Sequence, residues 1–131
     1  MPVIDLALTE RWLTDVAASH SKRIGRIGYC FCDDEKILEV NRQFLNHDFY
    51  TDIITFDYTR GNLISGDILI SLDTVASNAK VVGVTYEREL MRVIAHGVLH
   101  LCGIDDKGPG EREVMEANED CALALWDTLN R

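Results

Sequence analysis

Apolar and polar positions alternate along this chain with two different periods, and the switches between them mark its elements. Val3 to Leu8 is a short apolar run that predicts a first strand. Thr9 then offers an N-cap to a helix in which Trp12, Leu13, Val16, Ala17 and His20 recur at helical spacing. From Arg26 to Cys32 the period falls to two, with Ile27, Tyr29 and Phe31 on one face, which predicts a strand. Asp33 or Asp34 caps a helix whose stripe is Ile37, Leu38, Asn41 and Phe44, and the polar, aromatic stretch LNHDFYTD reads as a loop. Two β-branched runs, 53–56 and 67–70, are joined by a turn containing Gly61 and Asn62.

Three helices complete the pattern. Asp73 is the expected cap of one carrying Val75, Ala76, Ala79 and Val82, which Gly83 stops. Thr85 caps the next, where Leu90, Met91, Val93, Ile94, Val98 and Leu101 make a broad apolar side that ends at Gly103. After the break at Gly108-Pro109-Gly110, a last helix carries Val114, Met115, Cys121, Ala122, Leu125 and Leu129. Strands mixed with helices around a broadly apolar helix at 86–102 predict an α+β, or mixed α/β, fold: a small mixed β-sheet packed against helices, with that helix central. The 131 residues suit one domain, 1–131, without repeat or linker.

Composition narrows the setting. With 47% hydrophobic and 27% charged residues the chain is globular. No apolar run approaches the roughly 18–20 residues of a spanning helix, and the start, MPVIDLALTERW, shows no signal-peptide pattern. The four cysteines, 30, 32, 102 and 121, have no disulfide-framework spacing; they read as buried free thiols and suit a reducing cytoplasm. The formal net charge is −9, which argues against non-specific attraction to a polyanion. Excess acid sits in 31–60 and 101–131, leaving Lys22, Arg23, Arg26, Arg88 and Arg92 as candidates for a local basic patch. Arg88, Arg92 and His96 share one helix side, where pairing with Glu87 and Glu89 as solvated surface charge is the plainer reading.

Chemistry concentrates in the run from His96 to Asp106. His96 and His100, four apart on a helix, project from one face and can share a metal ion. Gly103 lets the chain turn back, so Asp105 or Asp106 can supply a third ligand. Three protein ligands with an open position are the pattern of catalytic zinc. A helical zinc peptidase carries Glu directly after the first His; Gly97 stands there, which disfavours that class.

With those residues in view, the chain resembles the YbeY family of metal-dependent endoribonucleases and rRNA maturation factors, whose hallmark is an HGxLHLxGxDH run. The match covers His96, Gly97, Leu99, His100, Leu101, Gly103 and Asp105. Asn41 and Phe44, the runs 51–56 and 66–71, and Met115 and Glu119 match further family positions, so the resemblance spans residues 33–125. It implies a small α+β domain with a zinc site at the mouth of a cleft, and the central helix becomes a metal-binding one. It also implies bacterial cytoplasm, processing of the 3′ end of small-subunit ribosomal RNA, and ribosome quality control.

Two departures matter. The family's third ligand is a histidine six residues after the second; Asp106 stands there, giving His96, His100 and Asp106 as the carried-over set, with Asp105 a rival or an orienting group. One carboxylate leaves a zinc ion less positive and admits other divalent metals. The family's catalytic arginine position holds Leu45, for which Arg42 or His47 are the candidate substitute cations. Asp52 and Asp67 read as structural, and Phe49 and Tyr50 as core or base-stacking groups. Ribosomal RNA and ribosomal proteins are the expected partners. The rivals are a non-catalytic ribosome assembly factor with a structural metal, which Leu45 favours, and a metal hydrolase of another phosphoester.

Overall fold

The computed structural model describes residues 5–44, 52–105 and 108–129. Its elements, in order, are α1 (Leu6–Ser19), β1 (Arg23–Cys32), α2 (Asp34–Phe44), β2 (Ile53–Asp57), β3 (Leu63–Ser71), α3 (Leu72–Val82), α4 (Tyr86–Leu101) and α5 (Glu111–Leu129). The sheet runs β1-β3-β2, with β1 parallel and β2 antiparallel to β3. The fold is α+β, as expected from the pattern.

Local chemistry corrects three boundaries. The expected strand from Val3 to Leu8 is not formed where it is described: Asp5 accepts a hydrogen bond from the Leu8 amide at 3.0 Å and starts α1 at Leu6. Thr9 is therefore inside the helix, its hydroxyl donating to the Asp5 carbonyl at 2.7 Å. Three apolar residues cannot fix a strand when a capping aspartate precedes them. The cap of α3 is Ser71, whose hydroxyl accepts from the Thr74 amide at 3.3 Å. Asp73 instead accepts from the Asp34 amide at 3.1 Å, serving the neighbouring helix start. Finally, β1 begins at Arg23, and a register shift between Ile24 and Ile27 explains why strict alternation is legible only from Arg26.

The sheet separates two apolar layers. Ile64, Ile68 and Ile70 of β3 face the main core, built from α1, α4 and α5. Leu69 faces the smaller layer, where Ile37 and Val40 of α2 pack on Ile54. Alternation along β3 thus puts α4 and α2 on opposite faces. Trp12 of α1 stacks on Trp126 of α5, ring centroids 5.1 Å apart, and donates to the Ala122 carbonyl at 2.7 Å.

Helix α4 is central. Leu90, Met91, Val93, Ile94, Val98, Leu99 and Leu101 are all buried, and Thr85 caps it by accepting from the Arg88 amide at 3.1 Å. Gly97 is where it meets the sheet: a Cβ there would lie 2.9 Å from Ile53 Cδ1 and 3.0 Å from Ile68 Cδ1. That close approach fixes the height of the next turn, on which His100 stands. Gly103, at φ 96, then takes the chain out of the helix.

The thiols differ from expectation. None of the four forms a disulfide, but Cys30 and Cys121 are exposed, Cys32 is half-buried and Cys102 is buried. Cys30 lies on edge strand β1, beside Leu69 of β3. Among the described residues, no helix is long and apolar enough to cross a membrane.

Candidate metal centre

The spacing of His96 and His100 does what a helix dictates. Their rings lie on one face of α4, centroids 5.3 Å apart and nearly perpendicular. Each side chain is mostly covered, 15% and 27% exposed. The turn at Gly103 brings Asp105 Oδ1 to 3.9 Å from His100 Nδ1, too long for a hydrogen bond. Asp105 remains mostly exposed. Asp106, the expected third ligand, lies outside the described residues, as do Leu45, His47, Phe49 and Tyr50. Among the described residues, no group of three His, Cys, Asp or Glu side chains is placed to hold a metal ion.

The side of His96 away from solvent is charged rather than apolar. Its Nδ1 lies 2.6 Å from Glu119 Oε2 on α5. The other oxygen of Glu119 accepts from Arg92 Nη1 at 3.0 Å. Arg92 also grips Glu89 with two hydrogen bonds, 2.9 and 2.6 Å, and lies 3.5 Å from Asp52 Oδ2. Glu89 and Glu119 are 2% and 5% exposed, so neither is a surface charge.

These contacts set the charge states. Burial pushes the Glu119 carboxyl up, but the hydrogen bond from His96 and the charge of Arg92 outweigh it and hold the group below its ordinary range. Hydrogen bonding to Glu89 holds the Arg92 guanidinium further toward its charged form, against desolvation, and Glu119 adds to this. Three carboxylates therefore surround one guanidinium.

Several expectations change here. Arg92 is not solvated surface charge, and Arg88 pairs with Asp127 rather than with its helix neighbours. With their charges taken up by carboxylates, neither is suited to an RNA-facing patch. Arg42 sits exposed in the last turn of α2, on the opposite face of the sheet from α4. An open cleft of about 480 Å³, lined by Gly28, Cys30, Phe44, Phe56 and Asp67 among others, also lies on that opposite face. The histidine pair is not at its mouth. Asp52 is structural in part: its carbonyl accepts from the Ser71 amide at 2.9 Å, while its carboxylate belongs to the Arg92 group. Asp67 lines the cleft.

Sequence reasoning named Glu89 as a partner on this helix side, and Arg92 does pair with it, but its burial was missed and Glu119 was taken only as a matching position. A signal was present. Glu89, Arg92 and His96 follow at i, i+3 and i+7, interleaved with the apolar side that carries Leu90 and Val93, so an ionic row inside the core was legible from spacing.

The donor types suit a divalent cation of the zinc class: two imidazoles from one helix face, one of them anchored at Nδ1 by a carboxylate.

The family model described as Endoribonuclease YbeY matches residues 5–127. Relatives named Endoribonuclease YbeY include one from Phocaeicola vulgatus, 65% identical over 125 residues, covering 95% of this chain and 91% of its own length. One from Bacteroides thetaiotaomicron is 62% identical over the same length and coverage. A Thermotoga maritima protein whose structure was determined in solution has the same fold, with TM-score 0.65 and 24% identity, covering 97% of this chain and 89% of its own. A match along nearly the whole chain, at such identity, places the protein in one family: it belongs to the endoribonuclease YbeY family.

Proposed function

We propose that this protein is a metal-dependent endoribonuclease that matures ribosomal RNA, acting at the 3′ end of the small-subunit rRNA and in ribosome quality control, with ribosomal proteins as further partners. Membership of a family whose relatives are named endoribonucleases supports the reaction class. The observation that carries the metal half is the His96–His100 pair, with its rings at 5.3 Å and one ring tied to a buried carboxylate.

His96, His100 and Asp106 are the residues that would hold the ion, zinc or another divalent metal. When bound, such an ion supplies an activated water and charge screening at a phosphodiester. This chain's own side chains define the rest. Helix α4 keeps both imidazoles on one face, and Gly97 seats that turn against Ile53 and Ile68. Arg92, already engaged by three carboxylates, is not a cation for the phosphate, and Arg42 lies across the sheet from α4, so His47 is the better candidate to stabilise transition-state charge in the absence of an arginine at 45. Four cysteines without a disulfide suit a reducing cytoplasm.

Cleavage of rRNA 3′-end fragments by wild type and His96→Ala, with zinc content measured on both, tests the reading. Wild type should cut and carry zinc, and the variant should do neither. Equal cleavage by both would remove the metal-nuclease mechanism, while zinc binding without cleavage would favour a non-catalytic assembly factor. Asp106→Ala should lower zinc occupancy well below Asp105→Ala; the reverse order gives the ligand role to Asp105. If Arg42→Ala and His47→Ala both cut at the wild-type rate, neither is the substitute cation.

A further inference from the structure

Behind His96 an ionic chain ties three elements together: Asp52 at the start of β2, Glu89 and Arg92 on α4, and Glu119 on α5. Its stoichiometry is uneven. Glu89 alone engages Arg92 through both oxygens, at 2.6 and 2.9 Å, which satisfies a guanidinium in the geometry it prefers. Glu119 is then a second buried carboxylate, 5% exposed, whose desolvation a single arginine does not offset. Counting Asp52, the group is two units negative. What Glu119 adds beyond Arg92 is His96, bound at 2.6 Å through the oxygen that Arg92 does not use.

An ionised carboxylate only accepts, so the His96 nitrogen facing it must donate. A neutral imidazole has one N–H, and placing it on Nδ1 makes Nε2 the lone-pair atom. We propose that Glu119 is a positioning residue for His96: it selects the Nδ1–H tautomer and so makes Nε2 the ligating atom, while Arg92 holds Glu119 from its other oxygen. This rests on the metal reading above. It also accounts for the charge imbalance, because a divalent ion on the far side of the ring would neutralise the two-unit excess.

The test uses the full chain in two measurements. Ring 15N shifts of the chelator-stripped protein, at a pH where the imidazoles are neutral, report the tautomer. Competition with a chromophoric chelator, using zinc alone, reports affinity. Wild-type His96 should be the Nδ1–H tautomer. Glu119→Ala should shift it toward Nε2–H and weaken zinc by about 10- to 100-fold. Glu119→Gln, which keeps an acceptor, should preserve the tautomer and lose less affinity than Glu119→Ala. The proposal is overturned by an Nε2–H tautomer in the wild type, or by folded Glu119→Ala binding zinc within about twofold of wild type. Should Glu119→Ala not fold, Glu119→Gln decides: loss of the Nδ1–H tautomer with zinc affinity unchanged overturns the proposal. His96→Ala separates the two claims: if zinc binds it as tightly as wild type, the metal reading itself fails and takes this proposal with it.

Discussion

Arg88 and Arg92 are one helical turn apart and look alike in sequence, yet their environments assign them different weights. Arg88 meets Asp127 where both side chains are substantially exposed, so Arg88→Ala should cost under about 1 kcal/mol. Arg92→Ala would leave Glu89 and Glu119 buried without their cation, and should cost about 3 kcal/mol or more. Urea unfolding of the two variants checks this, and equal losses would mean that the ionic row contributes nothing. The thiols carry a pH signature. Burial, helped by the nearby Cys30 and Asp33, pushes Cys32 from 9.0 up to about 11, and burial takes Cys102 to about 11 against the pull of Lys22. A thiol whose folded pKa is raised stabilises the fold fully below its unfolded pKa and loses that contribution as pH rises through the folded value. The melting temperature should therefore fall between pH 9 and 11, and fall less in Cys32→Ala/Cys102→Ala. A fall of the same size in the double variant would locate the cause elsewhere. At this scale the histidine pair was legible because its spacing is a helical property. The burial of Glu89 was legible only from its place among the apolar positions of α4, because charge type alone says nothing about which side of a helix the core takes.

Among the elements, α4 carries both much of the core and the candidate metal-binding pair, and Gly97 lies between them in sequence and packing. Adding a branched side chain there drives it into Ile53 and Ile68, whose δ-methyls already lie at 2.9 and 3.0 Å from a bare Cβ. Gly97→Val should destabilise by about 2–3 kcal/mol, since overpacking outweighs the few tenths gained in helix propensity. It should also weaken zinc binding by displacing the turn between the histidines. Unfolding curves and zinc titration read these together; a stable variant with wild-type zinc affinity would show that the close packing is not what seats the pair. The long elements were legible for a related reason. Six of the apolar positions assigned to α4 from periodicity are buried, because a broad stripe over four turns has only one structural solution. The first element was not, since three apolar residues before Thr9 fit strand or helix, and the aspartate that decides the matter acts through a single hydrogen bond. Ser71 and Asp73 show the same limit: either is a good cap, and only tertiary contact with α2 assigns their roles.

For the whole molecule, the net charge of −9 looked at odds with a nucleic-acid substrate. The fold refines that picture. Arg88 and Arg92 spend their charge on carboxylates, so Lys22, Arg23 and Arg26, at the start of β1, remain of the basic residues first considered for RNA. Bulk attraction to RNA should be weak, and recognition is left to the candidate metal centre and its surroundings. Part of the acid has a local place: the buried Glu89 and Glu119 and the partly exposed Asp52 make a negative group behind His96, on the side opposite the proposed cation. In the function proposed above, a divalent ion held by His96 and His100 drives RNA hydrolysis. The most direct measurement strips the protein with a chelator, returns zinc in increments, and follows cleavage of an rRNA 3′-end fragment at each step. No cleavage is expected without metal, then a rise with added zinc that breaks at about one equivalent per chain, and a flat line for His96→Ala. Stripped protein that cuts as fast as reloaded protein would contradict it.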